Sequence, residues 1–133
     1  MKHELKEEII ARYPLLFKEG YPRSGFEVGE GWLPLIDGLC TIIEWHLKTF
    51  VPEELRGGVY VAQIKEKFGS LRFYMNQSVF FIDGAIAMAE HMSYRICEDC
   101  GMPGQKRTSG WTRVLCDEHF KRKVSPSSLP PLL

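Results

Sequence analysis

The spacing of three cysteines and one histidine near the C-terminus constrains this chain more than any other feature. Cys97, Cys100, Cys116 and His119 form the pattern C-x2-C-x15-C-x2-H. Two close ligand pairs separated by a short loop are what a tetrahedral zinc site needs. Because protein side chains fill all four positions, the pattern predicts one structural zinc ion without an open position for an activated water.

The residues around these ligands predict how the site is built. Gly101 follows the first pair and lets the chain turn so that backbone N–H groups approach the thiolates. The stretch "GWTRVL" has the pattern of the second strand of a small hairpin. "CDEHFKRKV" has that of a helix whose N-terminus favours thiolate charge. A turn with two ligands, a hairpin, and a helix with two ligands resemble a treble-clef zinc finger.

Two alternatives remain for the cysteines. A disulfide framework is disfavoured by the histidine and by the expected cytoplasmic location. An iron–sulfur site is less natural with a single histidine. The fourth cysteine, Cys40, lies in an apolar helical pattern and is interpreted as a small buried hydrophobic residue.

The residues before the cysteines predict an α+β body. Helical periodicity begins after Met1 and breaks near Tyr13, because Pro14 follows. The clearest helix covers residues 31–50, and its apolar side recurs at 3, 4 and 7 spacing. The residues of this side are Trp32, Leu35, Ile36, Leu39, Ile43, Leu47 and Phe50. A third helix covers residues 78–96, with Ser78 as a candidate N-cap.

A β-hairpin is predicted at about residues 59–76. We expect helices on one face of this short antiparallel sheet. The predicted division is a body over residues 1–94, a zinc finger packed on it over 95–123, and a Pro/Ser-rich tail over 124–133.

The sequence places the hairpin turn at Gly69-Ser70, as a type II′ turn. Lys67 would then face Arg72, and Lys65 would face Tyr74. Alternation predicts two faces. The apolar face holds Tyr60, Ala62, Ile64, Phe68, Leu71, Phe73 and Met75, interrupted by Glu66, and the polar face holds Gln63, Lys65, Lys67, Arg72, Tyr74 and Asn76.

The polar face has two interpretations. Three cations, two amides and an aromatic ring suit phosphates and a stacked base, or an acidic protein surface. The same pattern is ordinary for a solvated sheet face, where lysines discourage edge pairing. Further candidate contact residues surround the predicted finger: Lys106, Arg107, Arg113, Lys121, Arg122 and Lys123.

Charge is divided unevenly along a chain of zero net charge. Residues 1–94 carry 10 Lys/Arg and 13 Asp/Glu, a net of −3, whereas residues 95–133 carry 7 and 4, a net of +3. This asymmetry is far from the strongly basic composition of a dedicated nucleic-acid binder. It neither excludes nor demands such a partner.

The sequence offers no recognisable catalytic pattern. It contains no phosphate loop, no nucleophile beside a base and no paired carboxylates of familiar spacing. A His-dependent nuclease would need a base other than His119, and only His46 and His91 are available in the predicted helices. The charged start "MKHELKEEII" and the absence of a long apolar run predict a cytoplasmic protein without a membrane span.

Three linked motifs carry a resemblance to a known family. "GEGWLPLIDGLC", "VAQIKEKFGSLRFY" and "ICEDCGMPGQKRTSGWTRVLCDEH" occur in this order in small proteins encoded by phages, prophages and bacterial mobile regions. The resemblance spans about residues 13–120, and Ser70 departs from it, where a second glycine is expected. It implies a phage-type accessory gene and carries over no activity and no catalytic residue.

Together these features predict a non-enzymatic protein that acts by binding. The first hypothesis, which follows from the resemblance, is an inhibitor of a host or anti-phage defence complex, so that the partner is a host or defence protein. The alternative is a zinc-finger protein that binds nucleic acid. A hydrolase or nuclease is the remote third hypothesis.

Overall fold

The protein is an α+β structure with a Cys/His cluster at its C-terminal end, as the sequence predicts. The computed structural model describes residues 3–18, Pro22 and 25–124, so the predicted tail after Val124 lies outside the described residues. Short 3-10 helices, Glu30–Trp32 and Glu53–Leu55, flank the second helix. The main elements in chain order are α1 (His3–Arg12), β1 (Phe26–Glu27), α2 (Leu33–Phe50), β2 (Val61–Lys67), β3 (Ser70–Met75), α3 (Phe80–Ser93), β4 (Gln105–Arg107), β5 (Arg113–Leu115) and α4 (Asp117–Val124).

The larger sheet has three strands in the order β1-β2-β3. β2 and β3 form the predicted antiparallel hairpin, whereas β1 pairs with β2 in parallel, so the sheet is mixed. The sequence did not predict β1, because a strand of two residues is too short to show alternation. β4 and β5 form a separate antiparallel pair near the C-terminus.

The turn of the larger hairpin lies one residue earlier than predicted. Lys67 pairs with Ser70, so Phe68 and Gly69 are the turn residues. Their φ angles of +52° and +89° are characteristic of a type I′ turn, not the predicted type II′ turn. Phe68 therefore leaves the apolar face and lies at the hairpin tip, 73% exposed. Glu66 Oε2 accepts the Gly69 N–H at 2.8 Å, which explains an acidic residue in the apolar pattern.

This shift leaves the two faces of the hairpin almost unchanged. Lys65 pairs with Arg72 and Gln63 with Tyr74, in place of the predicted Lys65–Tyr74 and Lys67–Arg72 pairs. Moving a two-residue turn by one residue moves the pairing by two, and therefore each side chain keeps its face. The strand cations, which are Lys65, Lys67 and Arg72, still lie on one side of the sheet.

A bulge changes the start of β2. The register shifts between Val61 and Gln63, and such an extra residue bends the strand. Val61 is fully buried, whereas Tyr60 and Ala62, which were expected on the apolar face, are only partly buried.

The core lies between the helices and the larger sheet. α2 and α3 pack against each other, and α3 packs along β3. Phe50, on the predicted apolar side of α2, is instead 63% exposed. Ser78 does not cap α3, because its hydroxyl contacts the Val79 carbonyl instead. The fully buried side chains of the core include Leu16, Trp32, Ile36, Ile43, Leu47, Val61, Ile64, Leu71 and Ile82.

α3 also closes the outer edge of β3. Leu71 N–H donates to Ser93 Oγ at 2.9 Å, and Phe73 N–H donates to Glu90 Oε2 at 3.0 Å. These side chains satisfy backbone donors that a neighbouring strand would otherwise satisfy. Within the described residues, no helix is both long and apolar enough to cross a membrane.

Candidate functional site

The four predicted metal ligands come together at the C-terminal end of the fold. The ligand atoms of Cys97, Cys100, Cys116 and His119 all lie within 4.8 Å of one another. His119 Nδ1 lies 3.7 Å from Cys97 Sγ and 3.3 Å from Cys116 Sγ, and Cys100 Sγ lies 3.8 Å from Cys116 Sγ. The sequence spacing therefore identified a real cluster.

Three of the ligand pairs lie 3.3–3.8 Å apart, close to the separations around a tetrahedral metal ion, and all pairs lie within 4.8 Å. With bonds of about 2.3 Å to sulfur and about 2.0–2.1 Å to nitrogen, tetrahedral geometry requires ligand pairs roughly 3.5–3.8 Å apart. The donor set of three thiolates and one imidazole suits a borderline-soft ion such as zinc. The cluster could therefore hold one metal ion with all four positions filled by protein.

A tight turn positions the first ligand pair. Gly101 N–H donates to the Cys97 carbonyl at 2.9 Å, and Cys97 N–H donates to the Met102 carbonyl at 2.7 Å. Gly101 has a φ of +83°, a conformation that favours glycine. Cys97 is fully buried, whereas Cys100 is exposed.

The start of α4 supplies the second pair. His119 N–H donates to Cys116 Sγ at 3.4 Å, and this hydrogen bond is the main reason why the pKa of the Cys116 thiol is lowered to about 7. A lowered thiol pKa favours the thiolate that binds metal. Phe120 N–H donates to the Cys116 carbonyl at 2.9 Å, which fixes this ligand to the first turn of the helix.

The segment before α2 packs directly on the first ligand pair. Gly31 N–H donates to the Glu98 carbonyl at 2.7 Å, and Trp32 Nε1 donates to the Ile96 carbonyl at 2.9 Å. A Cβ on Gly31 would lie 2.5 Å from Gly101 N and would overlap the Cys97 carbonyl. This role was not predicted from the sequence, although two glycines beside a tryptophan in "GEGW" are typical of close backbone packing.

Glu98 and Arg113 link the same segment to the second sheet. Glu98 is buried, its Oε2 accepts the Gly29 N–H at 2.9 Å, and its Oε1 lies 3.6 Å from the Arg113 guanidinium. Burial raises the pKa of the Glu98 carboxyl, although Gly29 and Arg113 act in the opposite direction. Arg113 also pairs with Asp99 at 2.5 Å. Arg113, a candidate contact residue, is therefore held inside the C-terminal segment, residues 95–124, which we call the finger after its predicted class.

Arg107 has a similar internal role. Its guanidinium stacks on Phe120 at 4.5 Å from the ring centroid and pairs with Asp117 at 2.8 Å. That pairing lowers the pKa of the Asp117 carboxyl. Arg107 thus joins β4 to α4.

Three further candidate cations lie on α4. Arg122 pairs with Glu118 at 3.5 Å. Lys123 Nζ donates to the carbonyls of Ser109 and Trp111. Lys121 lies on the same helix, and its positive charge contributes to the lowered pKa of the Asp117 carboxyl.

The remaining candidate residues form a surface that joins the hairpin to the finger. Lys65 lies directly opposite Arg72 on the two strands, and Lys65 Nζ lies 5.9 Å from the Tyr74 ring centroid. Tyr94, which follows α3, contacts Ser70 and Arg72, and the hydrogen bond with Ser70 is the main reason why its pKa is lowered.

The finger contributes a cation to this surface. Lys106 Nζ lies 5.9 Å from the Tyr94 ring centroid. The hairpin turn touches the finger as well, because a Cβ on Gly69 would lie 3.0 Å from Thr112 Cγ2. We call this surface the basic face and define it as Lys65, Lys67, Arg72, Tyr74, Tyr94 and Lys106.

His46 lies among aromatic side chains, whereas His91 is exposed on α3. His46 stacks on Phe81 with ring centroids 4.3 Å apart and lies 5.3 Å from the Phe50 ring. Its neighbours are aromatic, so the described contacts give His46 no acidic partner to orient it as a base.

Comparison of the chain with protein-family models, curated proteins and solved structures found no match.

Proposed function

We propose that the cluster holds one zinc ion and that the C-terminal segment is a treble-clef-type finger with a structural role. The support is the order of turn, hairpin and helix around four ligands at tetrahedral spacing. Cys97, Val114 and Leu115 are fully buried, but so small a segment needs the metal to fold. Measuring bound zinc by mass spectrometry in the purified protein, and in the Cys97→Ser, Cys100→Ser double variant, tests this assignment.

We further propose that the protein is a non-enzymatic binding protein whose basic face takes single-stranded nucleic acid. The observation that carries the proposal is the cross-strand pair of Lys65 and Arg72. Like charges directly opposite each other destabilise a sheet. Glu27 is the register partner of Lys65 on the neighbouring strand β1, but within the described part of the chain no carboxylate forms an ion pair with Lys65 or Arg72. An anionic ligand bound across both strands would remove this repulsion.

The aromatic residues of the basic face favour single strands. Tyr74 and Tyr94 are both partly exposed, and each lies beside a lysine. Single-strand binding proteins combine cations along a backbone path with rings on which bases stack. A duplex would keep its bases paired and leave these rings unused. The exposed Phe68 at the hairpin tip would extend the same path.

The hypothesis of a protein partner in a host defence complex is supported by the family resemblance, by the net negative charge of residues 1–94 and by the lack of a catalytic pattern in the sequence. It stays a prediction, as does the phage origin. We prefer nucleic acid because the arrangement of Lys65, Arg72 and Lys106 supplies a specific physical reason for an anionic ligand.

Fluorescence anisotropy with labelled single-stranded DNA and RNA tests this proposal. The proposal assigns four phosphate contacts, to Lys65, Lys67, Arg72 and Lys106. The logarithm of the association constant should therefore fall linearly with the logarithm of the salt concentration, with a slope of roughly −3. Replacing Lys65 and Arg72 by Gln should reduce the slope to about −1.4. Tyr94→Ala should weaken binding by about 1–3 kcal/mol at every salt concentration.

Arg12→Gln is the matched control, because it removes one exposed cation on α1 that pairs with Asp37. It should leave both affinity and slope unchanged. Equal loss in Arg12→Gln and in the Lys65, Arg72 variant would contradict a specific surface. A pull-down with and without nuclease separates the alternatives, since a discrete protein recovered after nuclease treatment would favour the protein-partner hypothesis.

A further inference from the structure

The outer side of α2 and α3 exposes an apolar surface that the proposed function does not use. Between the two helices lies a groove of about 310 Å³. Among the described residues, those that line it carry no charge. They are Pro34, Leu35, Gly38, Leu39, Ile42, Ala85, Met88, Ala89 and Met92.

An aromatic cluster continues this groove toward the C-terminal end of α2. Trp45 lies 5.6 Å from Phe50 and 6.0 Å from Phe81 between ring centroids, and His46 stacks on Phe81. These rings pack on one another yet stay substantially open to solvent. We call the groove and this cluster together the α2–α3 face.

The exposed area of the α2–α3 face is large for a monomer. Five side chains contribute most, with exposed fractions of 43% for Ile42, 48% for Trp45, 63% for Phe50, 44% for Phe81 and 62% for Met88. Large side chains present about 150–250 Å² each, so these five expose roughly 500 Å². The largest apolar patch on a typical monomer covers about 300–600 Å² and often has a function, and these five side chains alone already reach the upper part of that range.

We propose that the α2–α3 face is a dimer interface covered by a second copy of this chain. A stable interface needs about 800 Å² on each partner, which the five side chains and the groove lining together approach. In a two-fold dimer the same patch meets itself, and it must therefore be self-complementary. An uncharged face satisfies this condition, because two copies meet without like-charge repulsion.

The shape of the face also suits a second copy. Met88 and Ile42 protrude beside the groove, while Gly38 and Ala85 leave room between the helices. A protruding side chain of one copy can enter the groove of the other, and the reverse contact follows by symmetry. Two helix pairs packed in this way form a four-helix arrangement. A different protein partner would gain specificity from charges within the contact, and the lining residues supply none.

The test is the mass in solution of the full-length, metal-loaded protein, measured by light scattering over a hundred-fold dilution. Nuclease treatment and high salt remove any nucleic acid that could bridge two copies through the basic face. We expect twice the 15.3 kDa of one chain at high concentration and a shift to monomer on dilution. Met88→Glu should raise the dimer dissociation constant at least about tenfold, because each dimer contains the substitution twice.

Leu55→Glu is the matched control. Leu55 is 65% exposed, like Met88 at 62%, but it lies outside the groove lining, and its variant should dimerise normally. Ile42→Glu provides a second disrupting variant in case Met88→Glu misfolds, and melting curves and metal content identify folded protein. A blue shift of Trp45 fluorescence at high concentration, measured in the Trp111→Phe background, should accompany dimerisation.

Two results would overturn the proposal. The first is a wild-type protein that stays monomeric at every concentration, whether or not it binds a different protein through this face. The second is a dimer whose dissociation constant is unchanged in both Met88→Glu and Ile42→Glu.

Discussion

The indole N–H of Trp32 donates to the Ile96 carbonyl at 2.9 Å, and this bond joins the body of the protein to the residue just before the first metal ligand. Trp32 is fully buried, so the bond forms inside the core. The metal cluster is therefore packed as part of the fold, because its first turn lies against the segment that begins α2. Stability of the body and occupancy of the cluster should be coupled.

Removing the metal should destabilise more than the finger. We expect chelation, or the Cys97→Ser, Cys100→Ser double variant, to lower the melting temperature and to shift the fluorescence of Trp32 toward that of an exposed indole. The physical reason is that the ligand-bearing turn holds Trp32 and Glu98 in place. Melting curves with and without chelator measure the effect. Cys40→Ala removes a buried thiol outside the cluster, so it should lower the melting temperature through a core cavity but keep its metal and its response to chelator. An unchanged melting curve in the double variant would contradict the coupling.

Gly31→Ala should destabilise the protein by about 1–3 kcal/mol and weaken metal retention. The added Cβ would lie 2.5 Å from Gly101 N and 2.7 Å from Cys100 N, and backbone atoms cannot move aside as a flexible side chain can. Denaturant unfolding and a metal-release assay measure the two effects.

Gly84→Ala is the matched control for Gly31→Ala. Gly84 lies within α3, and a Cβ there would meet nothing within 4 Å. Alanine should therefore stabilise this helix by about 0.5–1 kcal/mol. Equal effects of the two substitutions would show that the packing around Gly31 is unimportant.

Glu90→Ala should cost about 1–3 kcal/mol, because it leaves the Phe73 N–H at the edge of β3 without its acceptor. The same change uncovers part of a strand edge, so we expect faster aggregation on heating. Glu90→Gln keeps an oxygen acceptor and should lose less stability. Unfolding curves and light scattering during heating distinguish the two variants. If Ala and Gln behave alike, the hydrogen bond contributes little.

Phe68→Asn should stabilise the hairpin by about 1 kcal/mol, because Phe68 has a φ of +52° and asparagine tolerates this conformation better than a bulky residue. The loss of packing is small, since the ring is exposed. Gly69→Ala should have the opposite effect, because its φ is +89° and its Cβ would press on Thr112. Thermal unfolding measures both. If Phe68→Asn gains stability but loses single-strand affinity, the exposed ring serves binding at a cost in stability.

The sequence by itself determined the local features of this protein. Cys97, Cys100, Cys116 and His119 were identified because metal ligation imposes short spacings along the chain. The long apolar period of α2 and the hairpin alternation were visible for a similar reason, since both repeat over many residues. The faces of the paired strand residues from Gln63 to Tyr74 were predicted correctly even though the turn was not, because a turn shift of one residue preserves the side on which each strand residue lies. The prediction was wrong for Phe68, which lies in the turn.

Only the tertiary structure decided what depends on distant parts of the chain meeting. No spacing connects Gly31 to Cys97, or Tyr94 to Arg72 and Lys106, because these residues come together through packing of separate elements. The parallel pairing of β1, the bulge at Val61 and the exposure of Phe50 depend on the same packing. Among the candidate cations, the structure separated Arg107 and Arg113, held by ion pairs, from the strand cations of the basic face. A charge in a sequence does not reveal its partner, because the partner is chosen by the fold.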